Sequence, residues 1–185
     1  MVTKTRASIE DLYQVPENAK AEIVKGEVVP MPPTGGDPGY AGDETFVALR
    51  DYARRTGQGR AVSDNKAFRV NLPNRESFSP DAAFYIGPDP GMGFYEGAPV
   101  FAIEVRSAND YGPKAEQAIA EKRRDYFAAG TQVVWDVDLL SEEVVRVYRA
   151  SDPENPTIYR RGDLAEAEPA LPGWTMLVDD LFPKR

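Results

Sequence analysis

The chain has no cysteine and no histidine among its 185 residues. The first absence excludes disulfides, thiolate zinc sites and cysteine nucleophiles. The second removes the usual general base, every serine–histidine triad and every imidazole metal ligand. A metal ion bound here must therefore be held by oxygen, which favours Mg²⁺, Mn²⁺ or Ca²⁺. Long apolar runs are missing too. No segment approaches the roughly 18 apolar residues of a membrane span, so no membrane partner is expected. The opening MVTKTRASIEDLYQV has no apolar signal core and no cleavage pattern, which leads us to expect a cytoplasmic protein.

Positive charge is the minority sign: 22 Lys and Arg stand against 30 Asp and Glu, a net charge of −8. Such a chain is poorly suited to wrapping nucleic acid without specificity, because phosphate neutralisation needs clustered cations. Local clusters exist at Arg54–Arg55 and Lys122–Arg123–Arg124, and their plain reading is solvated helix faces. With 42% hydrophobic and 28% charged residues the composition is that of an ordinary globular protein. The length suits one domain, residues 1–185, with a sizeable core.

Local patterns order the elements. SIEDLYQV reads as a short helix capped by Ser8. AEIVKGEVVPM reads as two strands around a Lys25–Gly26 turn. PPTGGDPG reads as a loop, followed by the helix ETFVALRDYARRT, with Phe46, Leu49 and Ala53 on one stripe and Gly57 as its C-cap. GRAVSDNKAFRVNLP is a strand region ended by Pro73, and SPDAAFYI and PVFAIEVRS are strands on either side of a Gly-rich connection. A helix from Pro113 to Gly130 precedes the strand TQVVWDVD and its hairpin partner EEVVRVYRA. Further strand signals lie at TIYR and WTMLV. The order predicts a mixed sheet with helices packed on it. Tyr148, Trp174 and Phe182 are expected either to serve a dimer or to pack the C-terminal strands.

One strand carries an anomaly. In PVFAIEVRS, Phe101, Ile103 and Val105 share one face, and Val100, Ala102, Glu104 and Arg106 share the other. A carboxylate in so apolar a strand should be paired, protonated or bound to a metal. Arg106, two residues on and on the same face, is the plain partner for Glu104. If the preceding strand is its antiparallel neighbour, Asp81 lies close to Glu104, although Asp81 after Pro80 also reads simply as a turn residue. Two adjacent carboxylates repel unless they share a proton or a cation. In the helix that follows, Ala115, Ala118, Ile119, Tyr126 and Ala129 form an apolar stripe with Lys122 in its middle. Snorkelling is the plain reading of Lys122, yet an inward lysine and an inward glutamate on consecutive packed elements are expected to meet. Glu22 reads as a half-exposed strand residue. With a divalent ion, an acid–acid–lysine set of this kind can hydrolyse phosphodiesters.

SPDAAFYI, PVFAIEVRSAND, EKRRDYFAAGTQVVWDVD and the early AEIVKGEVVPM resemble, in residues and in order, the Uma2 family (the DUF820 group) of the PD-(D/E)xK nuclease superfamily. The resemblance runs from about Ser8 to the C-terminus. It implies an α/β restriction endonuclease-like core, a mixed β-sheet flanked by helices, and a Mg²⁺- or Mn²⁺-dependent DNA endonuclease. It carries catalytic roles onto Asp81, Glu104 and Lys122, with Glu22 at the rim. It implies a metal held by Asp81, Glu104 and the backbone carbonyl of Val105. DNA is the implied partner, and a homodimer would suit cutting of both strands by analogy. Two departures stand out. Arg106 occupies the place of the superfamily's short-motif lysine, which Lys122 replaces from the helix. The histidine that often follows the family's proline-rich loop is absent, and Tyr40 stands near its place. Two other readings stay open: a catalytically inactive nucleic-acid-binding or accessory protein of the same fold, and an assembly protein in which these residues form a buried salt-bridge network.

Overall fold

The structure, a computed structural model, describes residues 6–16 and 19–184. A short 3₁₀ helix, Ile9–Gln14, leads into β1 (Lys20–Val24) and β2 (Glu27–Met31), then α1 (Gly36–Thr56). The strands β3 (Arg60–Ser63), β4 (Phe68–Leu72), β5 (Arg75–Phe78), β6 (Ala82–Tyr85), β7 (Tyr95–Glu96) and β8 (Phe101–Val105) precede α2 (Pro113–Ala128). β9 (Val133–Val137), β10 (Val145–Arg149), β11 (Asp152–Tyr159), β12 (Leu164–Glu166) and β13 (Thr175–Leu177) complete the chain, with a last 3₁₀ turn at Val178–Leu181. No helix among the described residues is long and apolar enough to cross a membrane.

The larger sheet has the order β11-β10-β9-β8-β6-β3. β8 is central, antiparallel to β6 and parallel to β9, with α2 as the crossover between the parallel pair. The second sheet runs β2-β1-β5-β4-β7. Burial on both faces explains the near-continuous apolar run of β8. Phe101, Ile103 and Val105 enter a core shared with α1 and the C-terminal segment, which supplies Trp174, Val178 and Leu181. Ala102 enters a second core with Phe68 and Phe78 of the other sheet and Tyr126 of α2. Alternation along β8 thus places Glu104 on the face between the two sheets.

Several elements differ from the sequence expectation. α1 begins at Gly36, inside the segment expected as a loop. Pro38 falls in its first turn, where a missing N–H costs no helical bond, and Gly39 donates to the Gly35 carbonyl at 2.9 Å. The region Gly59–Pro73 is not one strand unit. It breaks at Asp64–Asn65, where Asn65 is left-handed (φ 58°), and β3 and β4 join different sheets. β5 was not expected, because Pro73 and Asn74 read as the end of a strand and form instead the turn of a β4–β5 hairpin. Tyr148 and Trp174 are buried. Trp174 has its ring centroid 5.6 Å from Phe101 and 5.2 Å from Trp135, so it packs in the core.

Candidate active site

β6 and β8 pair with Ala82 opposite Ile103, which sets Asp81 beside Glu104. The Asp81 N–H donates to the Ile103 carbonyl at 3.1 Å, and the Val105 N–H donates to Asp81 Oδ2 at 2.7 Å. The acid pair is therefore placed by strand register, with one carboxylate locked to the backbone of the other strand.

α2 brings Lys122 over this pair. Its Nζ lies 2.8 Å from Glu104 Oε1 and 2.9 Å from Glu22 Oε1 on β1. Tyr126, one helical turn on, donates its hydroxyl to Glu104 Oε1 at 2.6 Å while its ring stacks on Phe78 at 4.0 Å. Glu22 is buried, against the half-exposed expectation. Its Oε2 accepts from Arg75 Nη1 at 2.6 Å, and its Oε1 accepts the Ser79 N–H at 2.8 Å. Arg75 in turn donates Nε to Asp125 Oδ2 at 2.9 Å. Asp81, Glu104, Lys122 and Glu22 thus come together.

Arg106 does not pair with Glu104. The parallel register of β8 and β9 sets Asp136 opposite Glu104. Arg106 turns sideways to Asp136, donating Nε and Nη2 at 2.8 Å each, and binds Glu116 as well. The guanidinium fork matches the Asp136 carboxylate bidentately, while both Glu104 oxygens are taken by Lys122 and Tyr126. Tyr40 lies on α1 beside Glu44 and Asp180 and does not line the cleft. The apolar stripe of α2 is also shorter than expected. Tyr126 is buried, but Ala115 and Ile119 are half-buried and Ala118 is exposed, because this half of the helix overhangs a cleft.

That cleft has a volume of about 460 Å³ and carries the acid–acid–lysine set on its floor. Val29, Pro30 and Met31 of β2 form one wall, and Ala118 and Ile119 of α2 another. A neighbouring hollow of about 520 Å³ shares only Arg106 and Ser107 with it and holds none of the set, so size does not mark the site here.

Electrostatics divides the two glutamates. Burial pushes the Glu104 carboxyl up; Lys122 opposes this, while Asp81 and Glu22 add to it, and the net shift is upward. Burial pushes Glu22 up as well, but Lys122 and Arg75 outweigh it and hold the group below the ordinary carboxylate value. Lys122 is raised: burial opposes its charge, and Glu104 and Glu22 overcome that. The Tyr126 hydroxyl is pushed well up by burial and by Glu104.

The donor set suits a hard cation. Asp81 and Glu104 offer carboxylate oxygens, and Mg²⁺ typically keeps several waters and takes only one or two protein carboxylates. Among the described residues no three acidic side chains converge as a ready-made cation shell. The carboxylate oxygens bind Lys20 and the Val105 N–H at Asp81, and Lys122 and Tyr126 at Glu104.

Sequence reasoning missed three residues of this cluster. Lys20 shares a strand face with Glu22 at i and i+2, a period that was there to be read. Tyr126 reads as part of the apolar stripe that carries Lys122, and the hydroxyl it sends to Glu104 has no signal in that pattern. Arg75 had no signal, because its strand was not anticipated.

The Uma2 family model, described as "Putative restriction endonuclease", matches residues 9–179. Among solved structures, the chain is similar to a crystal structure of a putative nuclease belonging to DUF820 from Anabaena variabilis ATCC 29413. The two share 18% sequence identity with a TM-score of 0.73, over 95% of this chain and 97% of that one. At that identity the likeness speaks for the fold, a mixed α/β nuclease-like architecture. No curated protein matches.

Proposed function

The chain belongs to the Uma2 family, and from that premise we propose that it is a divalent-metal-dependent DNA endonuclease working through Asp81, Glu104 and Lys122. The observation that carries this reading is the juxtaposition of two carboxylates from neighbouring strands under a helix-borne lysine, on the floor of an open cleft. Asp81 and Glu104, with the backbone carbonyl of Val105, would hold Mg²⁺ or Mn²⁺. A divalent ion there supplies an acidified water and neutralises charge growing on the phosphate. The protein's own groups do the rest. Lys122 sits within reach of both the acid pair and the cleft, where its ammonium orients the attacking water or stabilises the phosphorane-like charge. Glu22 and Tyr126 fix that ammonium and the Glu104 carboxylate in place. The reaction adds water across a P–O bond, leaving one phosphomonoester and one hydroxyl end. The whole chain serves as one restriction endonuclease-like domain in this reading, in the cytoplasm, with DNA as substrate and a homodimer as the form suited to cutting two strands.

Supercoiled plasmid incubated with Mg²⁺ or Mn²⁺ tests the proposal. Wild type should nick or linearise it, and Lys122→Ala should lower the rate by about 100-fold or more. No cleavage by wild type across metals and substrates would count against catalysis. A second reading has its own support. Each oxygen of Asp81 and Glu104 already accepts from a protein donor, as a purely structural ion-pair network requires. In that case Lys122→Ala changes stability and nothing else.

A further inference from the structure

Lys20 is the second lysine on the cleft floor. It opens β1 on the same face as Glu22, and its side chain is only 9% exposed. Its Nζ lies 2.7 Å from Asp81 Oδ1 and 2.7 Å from Asp64 Oδ1. These two acids come from different places. Asp81 opens β6 at the acid pair, whereas Asp64 lies in the β3–β4 connection, with a side chain 37% exposed. The ammonium therefore has one anchor inside the site and one in the adjoining hollow, which Asp64 lines together with Lys20 and Met31. Burial opposes the charge on Lys20, and the carboxylates of Asp81, Glu104 and Asp64 overcome it, so the lysine stays cationic.

We infer that Lys20 is the resident counter-cation of the acid pair: a divalent ion enters by displacing its ammonium from Asp81 Oδ1, and Asp64, in the hollow beside the cleft, keeps the displaced ammonium close by. The inference rests on Asp81 being a metal-holding residue, as proposed above. The chemistry is cation exchange, one monovalent ammonium giving way to one divalent ion at the same oxygen. Two like-signed groups cannot share that oxygen closely without repulsion. Lys20 thereby sets the affinity for the ion, and Asp64 prevents it from swinging fully out of the cleft.

Calorimetric titration of Mn²⁺ into the full chain reads this directly. The variants are Lys20→Met, with Lys20→Gln as a second choice should the first fold poorly, Lys25→Met and Asp81→Asn. Lys25 lines the same cleft but is 64% exposed and paired with Glu121, so its removal subtracts equal charge from elsewhere. The expected result is about tenfold tighter Mn²⁺ binding for Lys20→Met or Lys20→Gln and less than about twofold for Lys25→Met. Equal affinity for wild type and both Lys20 variants, with binding abolished in Asp81→Asn, would overturn the inference and leave the metal site standing. Equal tightening by Lys20→Met and Lys25→Met would overturn it too, as a general charge effect. No binding by any variant would remove the metal site itself and this inference with it.

Discussion

Removing Lys122 is the sharpest test of how the cluster is held together. Lys122→Met keeps the apolar stem of the side chain and deletes the ammonium that lies 2.9 Å from Glu22 and 2.8 Å from Glu104. Breaking a buried ion pair by removing one partner costs about 3–5 kcal/mol, because the remaining charge is left uncompensated. Two features lower that here. Glu22 keeps Arg75 and the Ser79 N–H. Glu104 is 24% exposed, keeps Tyr126, and already has its carboxyl pushed up, so it can take a proton. The expected loss is therefore about 2–3 kcal/mol. Adding Glu104→Gln to Lys122→Met should recover part of it, with a coupling of about 1–2 kcal/mol in the double-mutant cycle. Urea unfolding at constant slope measures both quantities. A loss below about 0.5 kcal/mol, the size of an ordinary surface substitution, or a double mutant whose losses simply add, would refute the reasoning.

Other outcomes follow from the same geometry. Arg106→Lys removes the two-point contact with Asp136, and the unfolding free energy should fall by about 1.5–3 kcal/mol, as for a lost charged hydrogen bond. Glu22 has a folded value below 4.5, so its contribution is present above that pH and is lost as pH falls through the folded value. The stability gap between wild type and Glu22→Gln should therefore narrow on acidification below pH 4.5. Glu104 is raised, so ionising it costs stability as pH rises above 4.5, and Glu104→Gln should gain on wild type in that direction. Gly59 is left-handed (φ +57°), and a Cβ there would overlap the Phe84 ring and lie 2.8 Å from the Tyr85 carbonyl. Gly59→Ala should lower stability by more than about 1 kcal/mol in the same unfolding assay.

The parts of the site that were legible in the sequence are those governed by short-range periodicity. Alternation in PVFAIEVRS put Glu104 opposite Phe101, Ile103 and Val105, and the helical repeat turned Lys122 inward; both hold. Antiparallel neighbours joined by a Gly-rich loop brought Asp81 to Glu104. What stayed hidden depends on long-range pairing. Glu22 looked half-exposed because nothing local shows that β1 is sandwiched between β2 and β5. Arg106 looked like the partner of Glu104 because the register of β9, which supplies Asp136, is fixed only by the parallel crossover. Arg75 was invisible because a Pro-Asn turn that ends one strand also starts its hairpin partner. The sequence leaves Trp174 open between a partner chain and internal packing, because its place against Phe101 and Trp135 is a contact across more than 30 residues.

Asp81 and Glu104 are proposed to form a divalent-cation site. The most direct measurement is the anomalous difference density of a crystal soaked in Mn²⁺. One strong peak is expected between the Asp81 and Glu104 carboxylates in wild type, lost in Glu104→Gln. Density only at other surface carboxylates, or a peak that survives in Glu104→Gln, would contradict it.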